Sequence, residues 1–244
     1  MTAERVRLLD ETHRRLALGG VGWARRRELA RVALVRGVWR FRVGLAPRLK
    51  RALDVGGALA LLVAVGPLFA LIALALKLED GGPVFFRQWR VGQHGRRFLM
   101  YKFRSMVPNA EALQVQLLAQ NEMRDGILFK IRKDPRVTRV GRLLRKASLD
   151  ELPQLLNVIR GEMSLVGPRP PLPSEVTLYD PAHRRRLTAT PGITCLWQIS
   201  GRNDIDFPGQ VRLDVEYIER QTLGLDLAIL LRTIPAVLSG RGAS

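Results

Sequence analysis

Residues 55–76 run for 22 positions without a charged side chain. As one straight helix they would reach roughly 33 Å, enough to cross a bilayer. A soluble core helix rarely needs so long an uncharged run, so a membrane is the first demand on this chain. Gly66-Pro67 sits at its middle. Proline lacks a backbone donor and its ring crowds the preceding turn, which predicts a kink. Each half alone is about 16 Å, half a bilayer. Arg48, Lys50 and Arg51 precede the run, and Lys77, Arg87, Arg90, Arg96 and Arg97 follow it. Basic residues favour the cytoplasmic side, so both flanks ask to be inside. A helix that enters, breaks at Pro67 and returns satisfies both; a plain spanning helix satisfies one. On these features alone the two stay open.

The charge points the same way. The 244 residues carry 40 Lys+Arg against 22 Asp+Glu, a net +18, and 34 of the cations are arginine. A hydrophobic share of 47% excludes a disordered basic tail, which would lack the apolar surface for a core. Arginine's planar fork suits phosphate, so a phosphate-rich partner is expected. More than half of the excess, +10, falls within the first 51 residues. There arginines interleave with Trp39 and Phe41. That pattern fits a segment lying on anionic membrane lipids, or a poorly ordered basic arm. The apolar run begins too late for a secretory signal peptide, and none is expected. With one cysteine and three scattered histidines, an intrachain disulfide is impossible and a zinc site is not expected. A hard cation held by carboxylates remains open.

Beyond Gly81-Gly82-Pro83 the pattern is mixed. Residues 84–90 and 97–106 are β-prone around Gly92 and Gly95, which predicts a hairpin. Residues 109–121, 137–146, 152–159, 209–222 and 225–238 read as helices. The fold class expected is α+β, with a compact mixed domain over 80–244. A membrane helix over 51–79 and a basic extension over 1–50 precede it.

The densest constellation is Arg145-Lys146-Ala147-Ser148-Leu149-Asp150-Glu151-Leu152-Pro153-Gln154. Ser148 and Glu151 have capping-box spacing, which needs no chemistry. Asp150 as N-cap would place Pro153 more comfortably, in the first turn. Either way, a helix N-terminus and Arg145 are expected to keep Asp150 ionised, as a nucleophile or a metal ligand requires. Arg169 and Arg202 lie in proline- and glycine-rich loops that can present a guanidinium to phosphate. Tyr101-Lys102-Phe103-Arg104 alternates aromatic and basic residues, as a nucleic-acid face or a half-buried edge strand would. A nucleic-acid binder has no use for the apolar run, so no nucleic-acid partner is expected.

These pieces resemble the bacterial sugar transferase family, the monotopic phosphoglycosyl transferases that act on polyprenyl phosphate. The resemblance begins at Lys50-Arg51 and the mid-run Pro67. It continues through Phe85-Phe86-Arg87-Gln88, Arg90-Val91-Gly92, Tyr101-Lys102-Phe103-Arg104-Ser105-Met106 and the Ser148-to-Gln154 block. It ends with Gly167-Pro168-Arg169-Pro170, Pro191-Gly192-Ile193-Thr194, Ser200-Gly201-Arg202, Leu213-Asp214 and Asp226. Cys195 stands where the family usually has glycine.

The resemblance implies a re-entrant, Pro-kinked membrane helix with surface-lying amphipathic helices. It places the catalytic domain on the cytoplasmic face of the bacterial inner membrane. It implies transfer of a sugar-1-phosphate from a UDP-sugar, UDP-glucose or UDP-galactose, to undecaprenyl phosphate, as the first membrane step of exopolysaccharide synthesis. Asp150 would be the nucleophile and Glu151 the Mg²⁺ ligand. Arg145 would bind the lipid phosphate. Arg169 and Arg202, with Lys102, Arg104 and Gln198, would bind substrate phosphates, and Asp214 and Asp226 would support them. Whether the chain forms a homodimer stays open. The competing expectation is a non-catalytic membrane scaffold of the same fold, which would release no UMP from any UDP-sugar.

Overall fold

The computed structural model describes residues 23–40, 44–117, 131, 134–201 and 205–238. Arg202 and the end of the helix expected over 109–121 lie outside the described residues, as does most of the arm over 1–50 apart from helix α1 (Trp23–Arg40). Two compact units divide the chain, residues 1–52 and 53–244. In the first, the Arg27 guanidinium lies 4.4 Å over the exposed Trp23 ring in α1.

Helix α2 (Ala46–Asp80) is helical throughout its 35 residues, Pro67 included. Only 11% of its most apolar stretch is buried within the protein. Ala58, Ile72 and Leu76 pack inward along one face, while Leu59, Leu61, Val63, Leu71, Leu74 and Leu78 are exposed. Burying each such leucine is worth about 1.5–3 kcal/mol. A core helix would not leave this surface in water, so its length and its face are compatible with membrane association.

After α2 the chain makes the expected hairpin. Strands β1 (Phe85–Val91) and β2 (Arg97–Phe103) pair antiparallel, from Phe85 opposite Phe103 to Val91 opposite Arg97. His94 (φ 55°) and Gly95 (φ 80°) make the reversal. Helices α3 (Ala110–Gln116), α4 (Arg139–Lys146) and α5 (Gln154–Arg160) follow. Strand β3 (Ser164–Val166) pairs parallel with β4 (Gly192–Thr194). Helices α6 (Pro173–Thr177) and α7 (Pro181–Arg184) lie between those two strands. Helices α8 (Leu196–Ser200), α9 (Phe207–Arg220) and α10 (Leu223–Leu238) complete the domain. The architecture is thus mixed helix and sheet with one long apolar helix. Strands β3 and β4 were not expected: three residues are too short for a periodic signal.

One core cluster joins Ala58 of α2 to Phe98, Met100, Leu155, Val158, Tyr217 and Ile229. A second joins Ile72 and Leu76 to Phe103 and Leu144. The Asp54 carboxylate accepts from the Leu165 backbone N–H at 3.1 Å, fixing α2 to β3.

Just past β3, where the chain lies beside β4, the backbones touch at two glycines. A Cβ on Gly192 would fall 2.0 Å from Gly167 N, and one on Gly167 would fall 2.3 Å from Thr190 O. Neither neighbour is a flexible side chain, so the strands would have to part. Gly192→Ala is expected to cost about 1–3 kcal/mol of stability. A urea unfolding midpoint unchanged from wild type would refute that reading.

Candidate active site

The hairpin register decides which side chains face the site. Residues directly opposite share a face, so Phe86, Gln88 and Arg90 lie on the side of Lys102, Met100 and Phe98. Arg90, Met100 and Lys102 thereby enter one cavity of about 200 Å³. Glu151, Gln154 and Arg169 line it too, as do Ile193, Trp197 and Gln198.

The loop carrying Arg169 is laced to the edge of β1. Arg90 Nη1 donates to Pro170 O at 3.0 Å, and the Val91 N–H donates to Pro171 O at 2.9 Å. Arg90 Nη2 also donates to Gln88 Oε1 at 2.6 Å. The buried Glu175 carboxylate accepts from Arg169 Nη1 at 3.3 Å and from the Leu172 N–H at 2.9 Å. Burial, and then the like charge of Arg169, push Arg90 down to about 9, still charged at neutral pH. Three donor-only cations therefore line a small cavity, two of them paired with Glu151 and Glu175, an arrangement that can receive a phosphate.

The Asp150-Glu151 turn is placed by what flanks it. Asn157 on α5 is fully buried. It donates to Leu99 O at 2.8 Å and accepts from the Tyr101 N–H at 3.1 Å, tying α5 to β2. Ser148, just before the pair, adopts φ 53°, a left-handed conformation that costs a non-glycine residue roughly 1–2 kcal/mol. Neither expected cap forms. Asp150 and Glu151 lie in a single 3₁₀ turn, and Pro153 occupies the N-cap of α5. Proline fits there because the first helical donors have no partners to lose.

Lys102 Nζ meets Glu151 Oε1 at 2.7 Å. Burial pushes the Glu151 carboxyl up, but Lys102, Arg169 and Arg90 outweigh it and hold it below the usual range. For Asp150 the balance reverses, against the expectation from sequence. Burial raises its carboxyl, and neighbouring Glu151 adds to that against the pull of Lys102 and Arg145. Arg145, half-buried, also donates from Nε to Ser105 Oγ at 3.0 Å. Two adjacent carboxyls whose environments drive them apart can take two different roles.

The Mg²⁺ that the resemblance implies can be tested against these groups. Among the described residues no three His, Cys, Asp or Glu side chains cluster to hold a metal. Yet Glu151 borders the cavity with one oxygen engaged by Lys102 and the other without a hydrogen bond among the described residues. Mg²⁺ commonly takes one or two protein carboxylates and completes its shell with water and phosphate oxygens. Glu151 fits that mode.

The remaining expected residues separate. Gln198 joins the cavity wall. Arg104 does not: it is buried, ion-paired with both oxygens of Asp80, and donates to Pro83 O at 2.7 Å. Asp214 is fully buried against Arg186, whose Nη1 donates to Tyr179 Oη at 3.1 Å. Asp226 accepts from Tyr217 Oη at 2.7 Å. Cys195 is buried in extended backbone (φ −149°), which any residue adopts, so the cysteine fits where the family has glycine. Arg90, Gln154 and Trp197 also line the cavity, beyond the residues that the sequence motifs assign to it. Period-two alternation in β1 could have found Arg90, because it shares Gln88's face.

Comparison with known proteins gives the family. Residues 45–240 match the sequence model described as bacterial sugar transferase. Galactosyl transferase CpsE of Streptococcus agalactiae serotype III is 49% identical over 195 residues, covering 80% of this chain and 43% of that protein. Exopolysaccharide production protein ExoY of Sinorhizobium fredii is 46% identical over 199 residues, covering 80% of this chain and 87% of that protein. The undecaprenyl-phosphate galactose phosphotransferase of Salmonella typhimurium is 46% identical over 199 residues, 80% of this chain and 41% of that one. The chain thus spans less than half of two of these relatives and most of the third. It belongs to the bacterial sugar transferase family and is an enzyme of the transferase class.

Proposed function

We propose that this chain transfers a sugar-1-phosphate from a UDP-sugar to undecaprenyl phosphate at the cytoplasmic face of a bacterial inner membrane. The observation that carries the reading is Glu151 beside Lys102, Arg90 and Arg169 at one cavity, with Asp150, which does not itself border the cavity, in the same 3₁₀ turn. The relatives named for galactose and glucose phosphotransfer to undecaprenyl phosphate support it.

In the first step an Asp150 carboxylate oxygen attacks the sugar-bearing phosphorus. The bond to the bridging oxygen breaks and UMP leaves, so the sugar phosphate stays on Asp150 as an acyl phosphate. In the second step a phosphate oxygen of the lipid attacks the same phosphorus. The bond to Asp150 breaks, the carboxylate is restored, and a lipid diphosphate sugar is released. Lys102, Arg90 and Arg169 hold phosphoryl oxygens as charge shifts among them. Glu151 would hold Mg²⁺, which supplies further neutralisation of the diphosphate. A covalent intermediate lets a water-soluble donor and a lipid acceptor use one site in turn.

The membrane role is assigned to α2, entering and returning so that both basic flanks stay cytoplasmic, with α1 on the lipid surface. Single cysteines at positions 45 and 95, introduced in place of the native residues, test this. An impermeant thiol reagent added outside intact cells is expected to label neither. Labelling of one position alone would establish a spanning helix. The chemical reading is tested by weighing the intact detergent-purified protein after incubation with a UDP-hexose and Mg²⁺. One hexose phosphate should add to the mass and disappear when polyprenyl phosphate is supplied. The absence of UMP release from every UDP-sugar in a panel would favour the scaffold.

A further inference from the structure

Helix α2 ends on two acids, Glu79 and Asp80, and both reach residues far along the chain. Asp80 pairs with Arg104, just past β2. Glu79 Oε1 accepts from the Val140 N–H at 3.0 Å, 61 residues away. That N–H belongs to the first turn of α4, where donors have no partner within the helix. Thr138 caps α4 through its Oγ1, which accepts from the Gly141 N–H at 2.9 Å, but the first turn carries no acid of its own. Glu79 supplies, from another helix, the acceptor and the negative charge that a helix N-terminus favours. Its second oxygen is buried with no hydrogen bond among the described residues. Burial of that oxygen opposes folding, so stability alone is a weak reason for this acid to stand here.

What α4 carries gives the stronger reason. Arg145 lies in its last turn, and the chain runs on through Ala147 and Ser148 into the Asp150-Glu151 turn. The Ser148 N–H donates to Arg145 O at 3.0 Å, and the Glu151 N–H to Ser148 O at 3.4 Å. A shift of α4 is thus handed through the backbone to both carboxyls. The helix is pressed on the backbone at Ser105: a Cβ on Gly141 would fall 2.1 Å from Ser105 O, and Arg145 Nε donates to Ser105 Oγ. It also rests on α2. Ile72 and Leu76 share a cluster with Phe103 and Leu144, and Leu149 and Leu152, which bracket the two acids, pack against it. The last turns of the apolar helix therefore form part of the scaffold beneath the Asp150-Glu151 turn.

We propose that Glu79 is a positioning residue for the transfer: from the end of the apolar helix it fixes α4, and through α4 it fixes Arg145 and the Asp150-Glu151 turn. The proposal rests on the transfer reading above.

The test follows formation of the hexose-phosphate adduct in a single turnover, without lipid acceptor, on the full chain in detergent. In Glu79→Ala the rate should fall by about tenfold to a hundredfold, the scale of a 1 Å misplacement. The final amount of adduct per protein should match wild type. Inhibition by UMP should hold, because Arg90, Lys102 and Arg169 stand outside α4. Glu79→Gln keeps an acceptor for the Val140 N–H and should return most of the rate. A residue that only stabilises the fold would give less adduct at the wild-type rate, and that result overturns the proposal. A Glu79→Gln variant as slow as Glu79→Ala overturns it too. If Glu79→Ala does not fold, Glu79→Asp, one methylene too short to reach, carries the same expectations. A wild type that forms no adduct with any UDP-sugar overturns the transfer reading itself, and the positioning role with it.

Discussion

Asp150→Asn is expected to abolish transfer, lowering turnover on the order of 10⁴–10⁶-fold, as removal of a nucleophile does in other covalent enzymes. It should abolish the hexose-phosphate adduct as well. Asparagine keeps the shape of the side chain but has no anionic oxygen for phosphorus. The variant should nevertheless fold. Burial raises the Asp150 carboxyl above its ordinary range. A carboxyl raised on folding takes up a proton more readily folded than unfolded, so its ionised form weakens the fold above that folded pKa. A neutral amide removes the penalty. In metal-free buffer near neutral pH, Asp150→Asn should therefore unfold at the same temperature as wild type or higher. Loss of activity together with loss of stability would make Asp150 structural. Full turnover in Asp150→Asn would refute the covalent route. A wild type whose kinetics are sequential rather than ping-pong would count against it as well.

Local chemistry was legible in the sequence, and long-range geometry was not. The hairpin was readable because Gly92 and Gly95 separate two β-prone runs. The apolar run announced α2 by length alone. The cap assignments at Ser148 and Asp150 failed because they assumed that an α-helix begins immediately. Backbone strain at Ser148 inserts a 3₁₀ turn first. Arg104 looked equivalent to Lys102 two residues away, and both share one strand face. Asp80, 24 residues distant, takes its guanidinium. The β3–β4 pair was invisible because it depends on two glycines 25 positions apart, Gly167 and Gly192. Gln154 stood in a recognised motif but carried no charge. Its place in the cavity wall shows only once β2, α5 and α8 come together.

Asp214→Ala should produce the largest loss of stability. Asp214 and Arg186 are both almost wholly buried, and their ion pair joins α9 to the turn after α7. The Arg186 guanidinium also lies 5.8 Å from the Phe207 ring centre and 6.0 Å from that of Tyr179. Burial lifts the Asp214 carboxyl to about 6 despite Arg186, so the pair is charged at neutral pH. Removing one partner strands the other charge away from water, at a cost of about 3–5 kcal/mol. For a domain of this size that corresponds to a fall in Tm of roughly 6–20 °C. Replacing both partners together, Arg186→Met with Asp214→Leu, should recover much of the loss, because a matched apolar pair leaves no buried charge. Asp214 does not border the cavity, so Asp214→Ala protein kept folded at low temperature should retain most of its KM for donor. A raised KM with unchanged Tm would instead make Asp214 part of the substrate site. Recovery in the double variant separates a packing role from a chemical one, since a residue that touched substrate would leave activity lost after stability returned.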